Sequence, residues 1–476
     1  MGEVLVLEDS GNCSVAAVAA DDVRELVLNR IRSAGLWQIP GEHVESSRTH
    51  LISPEPFPLS RDQVQRLHVL GDALLAFYTA VNDLYLRSGF DWVNEYLDIG
   101  KGEDLLRQAR MKYQKSALPG IIRPDILVTD DGFRITELDS VPGGFGHLDC
   151  LSSAYEEAGF ELVGSGIRDR FAHMLKSRTD APDPVVAIVV SDESIDYLPE
   201  MAYLADELRS SGVRAYTVRP REVSFTEEGL YINVENEPLR VDVLYRFFEL
   251  FDLLNIPKAE LISYAARKKL VTLTPPYKPY LEEKMLLALI HMESLREYWL
   301  KTLGEERFAL LREAIVETHI LDNRPVPPSA EISRFRWKGL PIRDWREIAE
   351  GTQKERRFVM KPSGFSPLAW GSRGVKVGHD MSQEEWSAAI DEALASFDSS
   401  PYVLQPFSDT SVIGVKYCDE AGDVREMAAR IRLCPYYFVS EGKADLGGVL
   451  ATACPKNKKL IHGMVDAILT PCAIVS

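Results

Sequence analysis

The chain has 476 residues, 45% of them hydrophobic and 26% charged, with 54 Lys and Arg against 72 Asp and Glu. That length exceeds what one hydrophobic core supports, so two or three lobes with a ligand site between them are expected, and the composition excludes a disordered chain. A net charge of −18 excludes non-specific affinity for nucleic acid or anionic membrane, so a nucleotide site would have to gather its basic residues locally.

The first residues lack the basic start and apolar core of a signal peptide, and no run approaches the ~18 apolar residues of a spanning helix. The six cysteines (Cys13, Cys150, Cys418, Cys434, Cys454 and Cys472) include no CxxC pair. A reducing cytoplasm is the expected setting. Residues 1–120 form a mainly helical segment, with three- and four-residue apolar spacing over Asp21 to Ser33 and Arg61 to Arg87 around a Pro-rich loop at Pro54 to Pro58.

Residues 121–275 open on short β-like runs around Asp130-Asp131-Gly132, a hairpin. In its second strand Glu137 and Asp139 alternate and share a face. A three-residue loop with Gly132 left-handed would pair Asp125 with Glu137, whereas a two-residue Asp131-Gly132 turn would send Asp125 to the other face. Converging carboxylates of this kind suit Mg²⁺ carrying nucleotide phosphates; a solvated hairpin end is the plain alternative. Val185 to Val190, a helical pattern to Arg209, a stop at Gly212 and a strand at Val213 to Val218 predict a βαβ-like lobe, which continues to a third apolar run, Val241 to Phe248.

Residues 276–476 begin with a long helical pattern over Leu281 to Leu303 and continue with strands at Arg357 to Lys361, Val375 to Val377 and Tyr402 to Gln405, after a variable charged stretch from Asn323 to Glu355. Lys361 ends a strand and is followed by Gly371-Ser372-Arg373-Gly374, a point charge and backbone N–H groups suited to a polyphosphate, although no Walker loop occurs. Tyr402 to Phe407, including Gln405 and Phe407, has the pattern of a strand running into a Pro break beside a planar base. Arg430 and Arg432 put two cations on one strand face, suited to a carboxylate or a transferring phosphoryl. Asp445 to Ala453 has the pattern of a Gly-Gly loop closing near phosphates. An ordinary turn, a buried strand and a salt-bridged sheet edge are the plain readings of these features taken singly.

As an ordered set they resemble the glutathionylspermidine synthetase and glutathione synthetase type of ATP-grasp ligase. Arg123-x-Asp125 followed by Glu137-x-Asp139 and Pro142 is similar to that group's metal-binding element, which precedes the nucleotide-binding lysines as in a circular permutant. Glu283-Lys284-Met285 looks like the first such lysine on a helix, Lys361-Pro362 like the second, and Gly371 to Val375 like the loop over the phosphates. Asp242 to Arg246 is similar to an Asp-x-x-Tyr-Arg stretch near the substrate. The family's metal element usually ends in Glu-x-Asn, so Asp139 adds a negative charge that bears on metal number or protonation. Neither an amidase domain nor a glutathione-binding pattern is evident.

The resemblance implies a mixed α+β and α/β ATP-grasp fold, circularly permuted, with a Rossmann-like substrate lobe. It implies an ATP- and Mg²⁺-dependent ligase joining a carboxylate to an amine through an acylphosphate, on an amino acid, peptide or polyamine. Asp125, Glu137 and Asp139 would hold metal, and Lys284, Lys361, the Gly371 to Gly374 loop, Gln405 and Phe407 would hold nucleotide. Arg123, Arg246, Arg430 and Arg432 would be catalytic. Nucleic acid and membrane are not expected partners, and a homodimer is an option. A phosphotransferase and a non-catalytic nucleotide-binding scaffold are the rival readings.

Overall fold

The computed structural model describes residues 19–36, 50–87, 89–324, 335–372, 374–458, 460–461 and 467–475. Its centre is a seven-stranded sheet in the order Phe57–Ser60, Ile468–Val475, Lys443–Pro455, Val424–Ser440, Ile121–Thr129 and Gly132–Asp139, with Val412–Cys418 also pairing with Val424–Ser440. Its strands therefore come from the first and last thirds of the chain. Helix Arg61–Leu86, capped by Ser60 and Gln63, lies on one face. There Ile122, Ile126, Ile135, Ile431, Leu433 and Ala451 join Leu67, Leu74 and Phe77 of the helix in one core. Because side chains alternate along a strand, the intervening residues Arg123, Asp125, Arg432 and Thr452 fall on the other face.

The expected βαβ lobe is a four-stranded parallel sheet ordered Thr272–Thr274, Val243–Phe247, Val185–Val190 and Arg214–Val218. Helix Leu198–Ser210 makes the crossover, and Gly212 stops it with φ +80°. Val185 to Val190 is buried throughout, as a parallel strand covered on both faces requires. A third sheet, antiparallel, orders His319–Ile320, Tyr402–Pro406, Phe358–Pro362 and Lys376–Val377. Met360, Tyr402 and Leu404 turn into a core with Trp386 and Ile390 of helix Gln383–Ala395, which leaves Lys361, Val403 and Gln405 on the opposite face.

Two expected elements differ. The pattern over Leu281 to Leu303 is not one helix: a 3₁₀ turn Pro279–Leu281, a short helix Leu286–Leu289 and a helix Arg296–Ala314 replace it. Leu286 to Ile290 are all buried, so apolar residues surround the segment instead of striping it, and Glu293 starts the next element. The supposed Gly-Gly loop is strand Lys443–Pro455, in which a register shift leaves Gly447 out of the ladder and its carbonyl accepts the Gly166 N–H at 3.0 Å. Among the described residues no helix is long and apolar enough to cross a membrane.

Candidate active site

The hairpin sets the site. Thr129 pairs with Gly132, so the tip is the two residues Asp130-Asp131, with Gly132 at φ +112°; neither expected turn forms. Ile126 then pairs with Ile135 but Asp125 with Glu137, which leaves Thr136 as a surplus residue in a β-bulge. The pairing of Asp125 with Glu137 is thus reached through the bulge. The carbonyl of Thr136 accepts Lys361 Nζ at 3.1 Å and Gln405 Nε2 at 3.3 Å, tying the hairpin to the antiparallel sheet.

The three acids have unequal surroundings. Asp125 takes Arg123 at 3.0 Å on one oxygen and Arg432 at 2.9 Å on the other, with the Cys434 thiol donating at 3.5 Å. Burial would raise its pKa, but the two guanidinium groups and the thiol hold it down at about 2. Asp139 bonds Arg123 at 3.1 Å and the Val141 N–H at 2.8 Å, yet burial, with Glu137 and Asp125 beside it, keeps its carboxyl above the ordinary range. Glu137 meets Lys284 at 2.9 Å. The Asp125 side chain is 10% exposed, against 32% for Glu137 and 28% for Asp139, so the open acids are the last two. Among the described residues no group of three His, Cys, Asp or Glu side chains is arranged to hold a metal ion.

Lys284 lies in a turn before the short helix, not on a helix as expected. Burial opposes its charge, and Glu137 more than restores it. Lys361 is pushed the other way: burial lowers it and the nearby Lys284 adds to that, against the opposing pull of Glu137, the carboxylate that both lysines face. The Nε atoms of Arg123 and Arg432 are buried without a partner.

Arg246 enters from the parallel sheet near the carboxyl end of its strand, where ligands of open α/β sheets bind. Fully buried, it pairs with Glu282 and donates to the carbonyls of Phe248 and, at 3.4 Å, Pro275. Burial outweighs Arg246 and pushes the Glu282 carboxyl up to about 7.

Other expected residues stand apart. Arg430 shares a strand face with Arg432 but donates to the carbonyls of Thr410 at 3.1 Å and Lys456 at 2.9 Å. Gln405 also bonds Thr318 at 3.0 Å, while Phe407 packs edge-on to His379 and under Arg357. Gly371 and Ser372 end a 3₁₀ turn from Pro367, and the Gly374 N–H donates to the Leu368 carbonyl at 2.9 Å. Arg373 and Cys13 lie outside the described residues.

Sequence reasoning missed Glu282, Glu283 and Cys434. The carboxylates beside Lys284 read as part of a helical pattern, and only their spacing from Arg246 and Ser363 in three dimensions marks them. The signal available was a pair of acids next to a candidate phosphate lysine, in a stretch that is otherwise apolar.

No protein-family model matches the sequence, and no curated protein matches it. Among solved structures, a glutathione synthetase-like effector from Globodera pallida matches with a TM-score of 0.58 at 12% identity, covering 96% of this chain and 97% of that one. A protein named putative γ-glutamylcysteine synthetase from Methylobacillus flagellatus gives a TM-score of 0.41 at 11% identity over 86% and 88% of the two chains. D-alanyl-alanine synthetase A from Vibrio cholerae gives 0.25 at 9% over 62% and 89%. Over nearly its whole length, the chain has the mixed α/β fold of the glutathione synthetase-like effector.

Proposed function

We propose that the chain is an ATP- and Mg²⁺-dependent ligase that joins a carboxylate to an amine on a circularly permuted ATP-grasp scaffold. The observation that carries this reading is the meeting of Glu137 and Asp139 with Lys284, Lys361, Arg123 and Arg432, which come from four separate stretches of chain. Mg²⁺ ordinarily takes one or two carboxylates plus phosphate oxygens, so two open acids fit it without a three-acid cage. Lys284 and Lys361, facing one carboxylate, fit a polyphosphate between them.

In this reading ATP, when bound with Mg²⁺, supplies the phosphoryl group that activates the acid. Glu137 and Asp139 hold the metal, and Lys284 and Lys361 offset phosphate charge. Arg123 and Arg432, kept in place by Asp125, orient the carboxylate and stabilise charge on the transferring group. Arg246 is assigned to the substrate side. The Gly371 to Gly374 stretch excludes water during transfer, and Gln405 and Phe407 border the base. The substrates are small: an acid, and an amine of the amino acid, peptide or polyamine class.

The test is phosphate release by purified protein with ATP and Mg²⁺ across pooled amino acids, small peptides and polyamines, beside Glu137→Ala and Lys361→Ala. Release requiring both an acid and an amine, and lost in both variants, is expected. ADP formed without an amine and without free phosphate, the phosphoryl group staying on the acceptor, would replace the ligase by a phosphotransferase. ATP failing to bind in a thermal-shift titration with Mg²⁺ would sink both.

A further inference from the structure

Glu283 sits between two parts of the chain that the ligase reading needs in register. Its Oε1 takes Lys101 Nζ at 2.6 Å, with the two side chains 1% and 0% exposed. Its Oε2 accepts the Ser363 hydroxyl and the Gly364 N–H, the latter at 3.1 Å. Glu283 therefore touches the residues two and three beyond Lys361 while being the covalent neighbour of Lys284. The loop is pressed against this segment so closely that a Cβ on Gly364 would stand 2.0 Å from the Glu282 carbonyl oxygen. Lys101 completes the arrangement, donating to the Ile99 carbonyl at 3.2 Å and lying 5.3 Å above the Phe365 ring.

A buried ion pair is weak evidence of stability, since removing two charges from water offsets their attraction, and the best-attested reason for such a group is to fix one arrangement among several. We propose that Glu283, with Lys101 as its counter-ion, is a positioning residue that sets the spacing of Lys284 and Lys361 for a polyphosphate. This rests on the ligase reading for the identity of the anion, and it assigns a role to residues that reach neither metal nor phosphate. Both lysines have an outer anchor on the hairpin, Glu137 and the Thr136 carbonyl; Glu283 supplies the inner one.

The experiment compares full-length wild type with Glu283→Ala and Glu283→Gln. Two readouts are used: equilibrium binding of ATP with Mg²⁺, and amide hydrogen exchange at Ser363 to Ser366. Glutamine keeps an acceptor for Ser363 and Gly364, so it should bind nucleotide within about threefold of wild type. Alanine should bind at least about tenfold more weakly, with faster exchange confined to that loop and to Gly132 to Asp139. Alanine binding ATP as wild type does, or leaving loop exchange unchanged, overturns the positioning role. If alanine fails to fold, glutamine decides: a tenfold loss with the loop still protected overturns it. Wild type binding no nucleotide overturns the ligase reading, a separate result from wild type binding tightly and both variants matching it.

Discussion

Two lysine–glutamate pairs meet at one turn of the chain and behave differently. Lys101–Glu283 is closed, with side chains at 0% and 1% exposure, and each partner has further hydrogen bonds within the protein. Lys284–Glu137, one residue along, is open at 9% and 32%, and Glu137 has no other ion-pair partner among the described residues. A ligand can compete for the second pair and not for the first. Adjacent residues of the same chemistry thus divide into one that builds and one that is left available, and burial makes the division.

The comparison breaks first at Lys101. Replacing it by methionine leaves Glu283 charged and buried, and should cost about 3–5 kcal/mol in denaturant unfolding. A loss below about 1 kcal/mol would mean water already reaches the closed pair. Lys284→Met should behave in the opposite way. Stability should change by about 1 kcal/mol or less because Glu137 can be solvated, while phosphate release falls about 100-fold, equivalent to about 2.7 kcal/mol of barrier.

Glu282, between the pairs and Arg246, sharpens the comparison through pH. Its folded carboxyl holds a proton up to about pH 7, mainly because it is buried, whereas the unfolded one releases it near about 4.3. In that window the folded state binds more protons, so stability falls as pH rises, by up to about 1.4 kcal/mol per unit. Glu282→Gln should flatten the slope between about pH 5 and 7; an unchanged slope would assign it to another group, Asp139 foremost. The smallest effect is expected at Arg430, tied to backbone carbonyls at a half-buried strand position: Arg430→Ala should cost about 1 kcal/mol and leave phosphate release within about twofold.

The legible parts of the sequence were those in which periodicity and chemistry coincide. Val185 to Val190 could only be a buried strand, and Gly212 ends the following helix where its positive φ requires it. Glu137 and Asp139 advertised a shared strand face by their spacing. The turn between the hairpin strands was not legible, because Asp130-Asp131-Gly132 is compatible with several registers and the bulge at Thr136 compensates for the one adopted. Nor was the break in Leu281 to Leu303: apolar spacing continues through it, and only burial on all sides of Leu286 to Ile290 distinguishes a short buried segment from a surface helix. The difference between Asp125, spent on two arginines, and the open acids depends on strands more than 300 residues apart in sequence, Asp125 and Arg432 being separated by 307.

The bulge has a consequence for how position 136 should respond to change. What Lys361 and Gln405 bind there is a main-chain oxygen, and every amino acid carries one. Saturation mutagenesis should therefore find Thr136 permissive to most side chains. Deleting the residue is a different matter: Ile126 with Ile135 and Asp125 with Glu137 could still pair as consecutive rungs, yet the shared acceptor would be gone. Position 136 is a place where the count of residues matters and their identity hardly does, a constraint that a substitution scan would overlook and a single-codon deletion would expose.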